Sequence, residues 1–334
     1  MSAILNVSII GSGQIGSRHL QALANLQQPA RIQLVDPSQN ALDIACQRFN
    51  SVYKGDPNRV TLQTFKAIKY LDEHQDVTIV ATDATVRSQI IKELIQKKIT
   101  RTMILEKVLF QAEKEYLEID SILKTKNIPT WVNCMLRATD FFKKFKTLLN
   151  GDAKIRMKVE GSNWGLACNS IHFLDLFSFL TGCRDFEFTD MKIDRIIPDF
   201  RRPDFKEIIG KMLGVNSLGH HLEMSCTESD GEIGDKRSLK MIRIQNGTKH
   251  HELTVYVDKV IHKTVTKKDE AEVTESLPLQ SQITHLLVES IDRDGSCDLP
   301  TYNESMALHL CLIKELLNRL TKISGKNVTR CPIT

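Results

Sequence analysis

The sequence contains no stretch of eighteen uncharged apolar residues, so no segment reads as a helix able to span a bilayer. Its opening, MSAILNVSIIGSG, lacks the basic start and the small-residue cleavage site of a secretory leader. Charge of one sign is scarce as well. The 45 Lys and Arg against 41 Asp and Glu leave a net charge of +4, with the two signs interspersed, and no nucleic-acid footprint emerges. The local runs Lys143-Lys144-Phe145-Lys146 and Lys267-Lys268 read as solvated faces. Eight cysteines, from Cys46 to Cys331, include no C-x-x-C pair and no nearby histidine grouping, which argues against a metal site. With only 9 Pro, 16 Gly and no low-complexity tract, collagen-like and disordered classes are excluded. These absences predict a cytoplasmic chain with reduced thiols and no membrane or nucleic-acid partner. Its 334 residues suffice for about two domains.

What is present in the first third is an alternation of short apolar β-branched runs with longer amphipathic stretches, the pattern of βαβ units around a parallel sheet. Strands are expected over residues 5–10, 31–36, 77–82, 102–109 and 130–134, and helices over 14–26, 41–49, 87–98 and 113–126. After Cys134 the texture changes. A stripe of Phe141, Phe142, Phe145, Leu148 and Leu149 marks a helix over 140–149. Longer alternating strands follow over 154–164, 186–196, 221–229, 239–245 and 252–258. Helices are expected over 281–291 and 303–323. The fold class is α/β: a doubly wound, Rossmann-type parallel sheet over residues 1–132, then an α+β domain with a mostly antiparallel open sheet over 133–334.

One segment carries chemistry in its spacing. Gly11-Ser12-Gly13-Gln14-Ile15-Gly16 is a G-x-G-x-x-G placed between an apolar strand and an amphipathic helix, the context in which this motif binds a dinucleotide. Gly11 allows the tight turn, Gly13 lets backbone approach a pyrophosphate, and Gly16 lets helix pack on strand; Gln14 and Ile15 begin the helix whose N-terminus meets the diphosphate. Asp36 ends the second strand twenty residues after Gly16. A carboxylate there meets adenosine ribose hydroxyls and repels a 2′-phosphate, which favours NAD over NADP, a preference Ser38 can soften.

From Gly11 to His19, then at Ala81-Thr82, Glu106-Lys107, Asn133 and Arg137, the residues resemble the Gfo/Idh/MocA oxidoreductases. The resemblance continues through Gly161–Gly182, where Ser170-Ile171-His172-Phe173-Leu174-Asp175 stands for the family's G-x-H-x-x-D, and weakly into the last helices. It implies nicotinamide-dependent oxidation or reduction of sugars, cyclitols or nucleotide sugars, and an open sheet that commonly serves homo-oligomerisation. It also implies that Thr82 and Glu106 join the cofactor site and that Lys107 and His172 are catalytic. Relatives with other tasks, a sugar-sensing regulator and NAD-assisted glycosidases among them, share the architecture.

Physical reading of these positions gives each a role and an alternative. Lys107 lies at the C-terminal end of a parallel strand, where an ammonium can donate to a reacting oxygen; otherwise it is a surface lysine paired with Glu106. Cys168, His172, Asp175 and Phe179 share one face of a helix otherwise apolar all round. His172 can exchange the alcohol proton or be a satisfied core histidine, and Asp175 is a substrate-binding candidate that can otherwise orient the ring or serve structure. Arg137 binds an anionic substrate or forms an interdomain ion pair. Asn169 is a candidate substrate hydrogen-bonder. Trp164, beside Asn163 and Gly165, forms a sugar-stacking wall or belongs to the core. Arg18 and His19 pack or lie near phosphate. His220 and His221, adjacent on a strand, point to opposite faces and make a poor metal clamp.

Two departures from the family pattern stand out. Val108 replaces the proline of Glu-Lys-Pro, and a cis bond before a non-proline residue costs about 3 kcal/mol. Cys168 replaces the aspartate that many relatives carry four residues before the histidine, and a thiol is a weaker partner for substrate hydroxyls. The expectation is an NAD-dependent oxidoreductase acting on a carbohydrate-like secondary alcohol or ketone; the alternatives are a non-catalytic NAD- and sugar-binding regulator and an NAD-assisted glycosidase.

Overall fold

The computed structural model describes residues 4–56, 59–149, 151–198, 203–229, 240–266 and 270–334. Lys267-Lys268 and Leu239, the latter expected to open a strand, lie outside the described residues. The chain forms two compact units: residues 1–110, 114–133 and 278–303, and residues 111–113, 134–277 and 304–334.

In the first unit six parallel strands, β1 (Leu5–Ile10), β2 (Ala30–Val35), β3 (Val60–Phe65), β4 (Gln75–Val80), β5 (Thr100–Leu105) and β6 (Thr130–Val132), are ordered β3-β2-β1-β4-β5-β6. The inner strands are apolar runs because helices leave neither face to water; Val7, Ile9, Ile32, Leu34, Val77, Ile79 and Ile104 are fully buried. Strand order reverses between β1 and β4, so the crevice of a doubly wound sheet opens at the ends of these two strands. The crossovers are helices α1 (Gln14–Leu23), α2 (Gln39–Val52), α3 (Arg87–Gln96) and α4 (Glu113–Lys126). β3 escapes the sequence pattern because it is the edge strand, and its half-exposed VTLQTF never forms an apolar run.

The second unit is built on eight strands: β7 (Ile155–Ser162), β8 (Glu187–Ile197), β9 (Glu207–Val215), β10 (His221–Thr227), β11 (Lys240–Asn246), β12 (Lys249–Val255), β13 (Lys259–Val265) and β14 (Glu270–Ser276). Their order is β14-β13-β12-β11-β7-β10-β9-β8. Every neighbouring pair is antiparallel except β7 with β10. Alternation sends Met157, Val159, Leu222, Met224, Ile242 and Ile244 to a buried face, while Lys158, Glu160, Glu223 and Arg243 form ion pairs on the other. Helix α5 (Asp140–Leu148) lays Phe145 edge-on against His251 and His262 of β12 and β13, and α6 (Leu166–Thr181) is buried along most of its length.

Helix α7 (Gln280–Asp294) belongs to the first unit, although residues 133–334 were read from sequence as one domain. It packs on α1 with Ile283, Leu287, Val288 and Ile291 buried, so the chain returns to finish the Rossmann unit before α8 (Tyr302–Ser324). No helix among the described residues is long and apolar enough to cross a membrane.

Candidate functional site

The turn after β1 is shaped by its glycines. Gly11 has φ +96°, and a Cβ on Gly16 would lie 1.8 Å from the Gly11 carbonyl oxygen, so neither position tolerates a side chain. A Cβ on Gly13 would meet nothing within 4 Å. Space is therefore left open directly over the N-terminus of α1, which has no side-chain cap. Two hydroxyls at this edge, Ser12 Oγ and Thr82 Oγ1, are buried without a hydrogen-bond partner. An uncapped helix N-terminus, an open cradle and orphaned donors fit a dinucleotide's diphosphate. Gln14 and Ile15 supply the first helical N–H groups there.

Asp36 follows β2 and braces this turn: its Oδ2 accepts from Ser12 N at 2.7 Å and its Oδ1 from Ser38 N at 2.8 Å. Each oxygen retains a further lone pair. Ser38 in turn caps α2, its Oγ accepting from Ala41 N.

Glu106 follows β5 and is held from below. Its Oε1 bonds His19 Nε2 at 2.9 Å and accepts from Asn133 Nδ2. His19 Nδ1 meets Thr284 Oγ1 at 2.9 Å, and Gln280 joins Asn133 and Thr284 at 2.8 Å each. Burial pushes the Glu106 carboxyl up, but the bonds from His19 and Asn133 and the nearby charge of Lys107 outweigh it, leaving a net shift downward. At 5% exposure Glu106 anchors the strand end. His19 is buried in this network and so packs. Lys107, the next residue, is half-buried, and the Lys107–Val108 peptide bond is cis. Sequence reasoning passed over Gln280 and Thr284, whose shared partner His19 lies some 260 positions away.

In the second unit β7 ends at Ser162 because Asn163 and Gly165 take φ +50° and +78°, turning the chain into α6. Trp164 between them is a core residue. Its indole N–H donates to the Ser225 carbonyl at 2.9 Å, its ring meets Phe173 edge-on, and at 1% exposure it offers no sugar-stacking wall. Asn169 Nδ2 donates to the Trp164 carbonyl at 2.6 Å. Cys168 is buried and turned inward, its thiol 3.7 Å from the Gly165 carbonyl oxygen. The carboxylate beside it comes from elsewhere: Glu207 of β9, fully buried, accepts from the backbone N–H groups of Ala167, Cys168 and Ile208. Burial raises the Glu207 carboxyl, opposed by these bonds and by the Cys168 thiol. Nothing in the local sequence signals this capping carboxylate, thirty-nine residues from the helix it serves.

His172 lies half-buried on α6, one turn before Asp175. Arg137, from the short 3-10 turn Met135–Ala138, pairs with Asp175 at 3.3 Å and rests on the Phe179 ring. The pair lies wholly within the second unit, which corrects the interdomain reading, and it engages both Arg137 and Asp175, each a substrate candidate by sequence. Burial pushes the Asp175 carboxyl up to about 7 against the opposing charge of Arg137. His220 is buried, its Nδ1 accepting from Ile155 N, while His221 is exposed. Among the described residues no three His, Cys, Asp or Glu side chains converge as a metal site.

The strand order and the glycine turn are those of a Rossmann unit, and known proteins share them. Residues 5–133 match the GFO_IDH_MocA model, described as an oxidoreductase family with an NAD-binding Rossmann fold. Solved structures share the fold along nearly the whole chain. An oxidoreductase of Agrobacterium radiobacter in complex with NAD+, L-tartaric acid and magnesium is 13% identical with a TM-score of 0.72, covering 98% of each chain. The UDP-N-acetylglucosamine 3-dehydrogenase of Acidithiobacillus ferrooxidans is 12% identical with a TM-score of 0.68, over 94% of this chain and 96% of its own. A 3-ketoreductase of Actinomadura kijaniata in complex with NADP is 12% identical with a TM-score of 0.69, over 93% and 96%. No curated protein sequence matches the chain.

Proposed function

We propose that the protein is an oxidoreductase that moves a hydride between NAD and a carbohydrate-like secondary alcohol or its ketone. The observation that carries this reading is the open, uncapped turn over Gly13, lined by the unpartnered hydroxyls of Ser12 and Thr82. The bound nicotinamide supplies the hydride acceptor or donor. Asp36 presents its remaining lone pairs to ribose hydroxyls, and Pro37-Ser38-Gln39-Asn40 behind it contains no cation for a 2′-phosphate, which supports NAD over NADP. Lys107 donates to the substrate oxygen and stabilises developing alkoxide, and His172 takes or returns the alcohol proton. The substrate class is supported by the 3-dehydrogenase and the 3-ketoreductase among the structural relatives.

The inward turn of Cys168 favours a second reading, in which NAD and a sugar are bound without turnover, because no carboxylate stands at that position beside His172. Calorimetry with NAD and NADP, followed by nicotinamide absorbance across sugars, cyclitols and nucleotide sugars, separates the two. The enzyme reading expects tighter NAD binding and turnover that Lys107→Met and His172→Ala each reduce by at least about 100-fold. Binding with no absorbance change for any substrate selects the second reading, and no binding of either dinucleotide defeats both.

A further inference from the structure

Arg87 opens α3 and is 1% exposed, yet no carboxylate pairs with it among the described residues. Its guanidinium donates instead to backbone: Nη1 to the carbonyls of Val108 and, at 2.9 Å, Leu109, and Nη2 to that of Thr82. Burial lowers its pKa to about 10, with Glu106 and Asp83 opposing, so the group stays charged at neutral pH.

A buried cation is costly to keep, and its place explains why it is kept. Val108, Leu109 and Phe110 are each 0% exposed and belong to no helix or strand, so their carbonyls have neither water nor a ladder partner. Phe110 is served by the Tyr116 hydroxyl, which donates to its carbonyl at 2.8 Å. Val108 and Leu109 are served by the arginine fork, whose fixed planar donors suit two neighbouring carbonyls where a lysine's point charge would not. The third bond reaches Thr82, beyond the end of β4. One side chain therefore ties the segments that follow two adjacent parallel strands, β4 and β5, on the edge where doubly wound sheets place their ligands. Lys107 stands between two anchors. On its N-terminal side Glu106 is fixed by His19 and Asn133; on its C-terminal side the next two carbonyls are fixed by Arg87.

We propose that Arg87 is a positioning residue for Lys107, holding the backbone after the lysine so that its ammonium occupies one place on the nucleotide edge. The inference rests on the reading of Lys107 as the group that meets the substrate oxygen.

The test uses full-length wild type, Arg87→Met, Arg87→Lys and Lys107→Met, labelled with 13C at the lysine ε-carbon. Lys107→Met identifies the Lys107 resonance. In Arg87→Met that resonance is expected to move, and in Arg87→Lys to shift part of the way. On a substrate that the wild type turns over, Arg87→Met is expected to lose roughly 100-fold in kcat, the cost of a displacement of about 1 Å, with KM little changed. A merely structural arginine would lower the urea midpoint and leave the Lys107 resonance of the folded variants in place, and that result overturns the proposal. If Arg87→Met does not fold, the Arg87→Lys spectrum decides alone. Failure of the functional reading looks different: Lys107→Met would turn over as well as wild type, while the resonance still reports whether Arg87 positions the lysine.

Discussion

Asp175 sets a carboxylate 1% exposed against a single cation, with its Oδ2 buried and unpartnered. Its pKa in the fold, about 7, lies above the unfolded value. Protonation therefore favours the native state: this contribution is fully present below about pH 4 and is lost as pH rises toward the folded value. Arg137 limits that loss. Arg137→Met removes the opposing charge, and urea unfolding is expected to show a loss of about 3 kcal/mol near neutral pH, shrinking toward pH 4 as a proton takes the place of the guanidinium. Equal losses across that range would mean the pair is not the source. At this scale the sequence was informative about chemistry and silent about partners. A carboxylate and an imidazole on a greasy helix face were visible in the spacing of His172 and Asp175, but that Arg137 answers Asp175, that Glu207 caps the same helix, and that Trp164 turns into the core follow from residues the chain brings in from elsewhere.

The element that matters most is the β1–turn–α1 unit, where folding and ligand binding make separable demands on glycine. A methyl on Gly16 collides with the Gly11 carbonyl, so Gly16→Ala is expected to lower the melting temperature and abolish dinucleotide binding together. A methyl on Gly13 meets no protein atom, and its φ of −59° suits alanine. Gly13→Ala is expected to melt within about 1 kcal/mol of wild type, the usual scale for an N-cap change. NAD affinity should fall sharply in the same variant, because the methyl fills the space left for the diphosphate. Calorimetry with NAD beside a thermal melt checks both. Unchanged affinity in Gly13→Ala would remove the diphosphate from that cradle. This unit was legible in advance because strand run, glycine spacing and helix stripe are all local. β3, β9 and β14 were not, since edge position, the glycines of β9 and exposed residues on both faces of β14 erase the alternation that marks a strand.

At the scale of the whole molecule, the first unit is completed by a segment that follows the second sheet in sequence. α7 covers α1 and brings Gln280 and Thr284 to the network under Glu106. A fragment ending at Asn133 would expose the α1 face that α7 buries and leave His19 without Thr284. Such a fragment is expected to show no cooperative thermal transition, whereas the full chain does; a sharp two-state melt of the fragment would show that α7 is dispensable.

The sequence by itself determined the parallel sheet, the glycine turn and the faces of the helices, because each is written in residues a few positions apart and read out by a fixed backbone period. Only the tertiary structure decided which side chains meet. His19 and Thr284 are 265 positions apart, Arg87 and Val108 21, and Cys168 and Glu207 39. Contacts across such separations follow no period along the chain; they exist only once packing has closed the distance and burial has left each polar atom in need of whichever partner lies within reach.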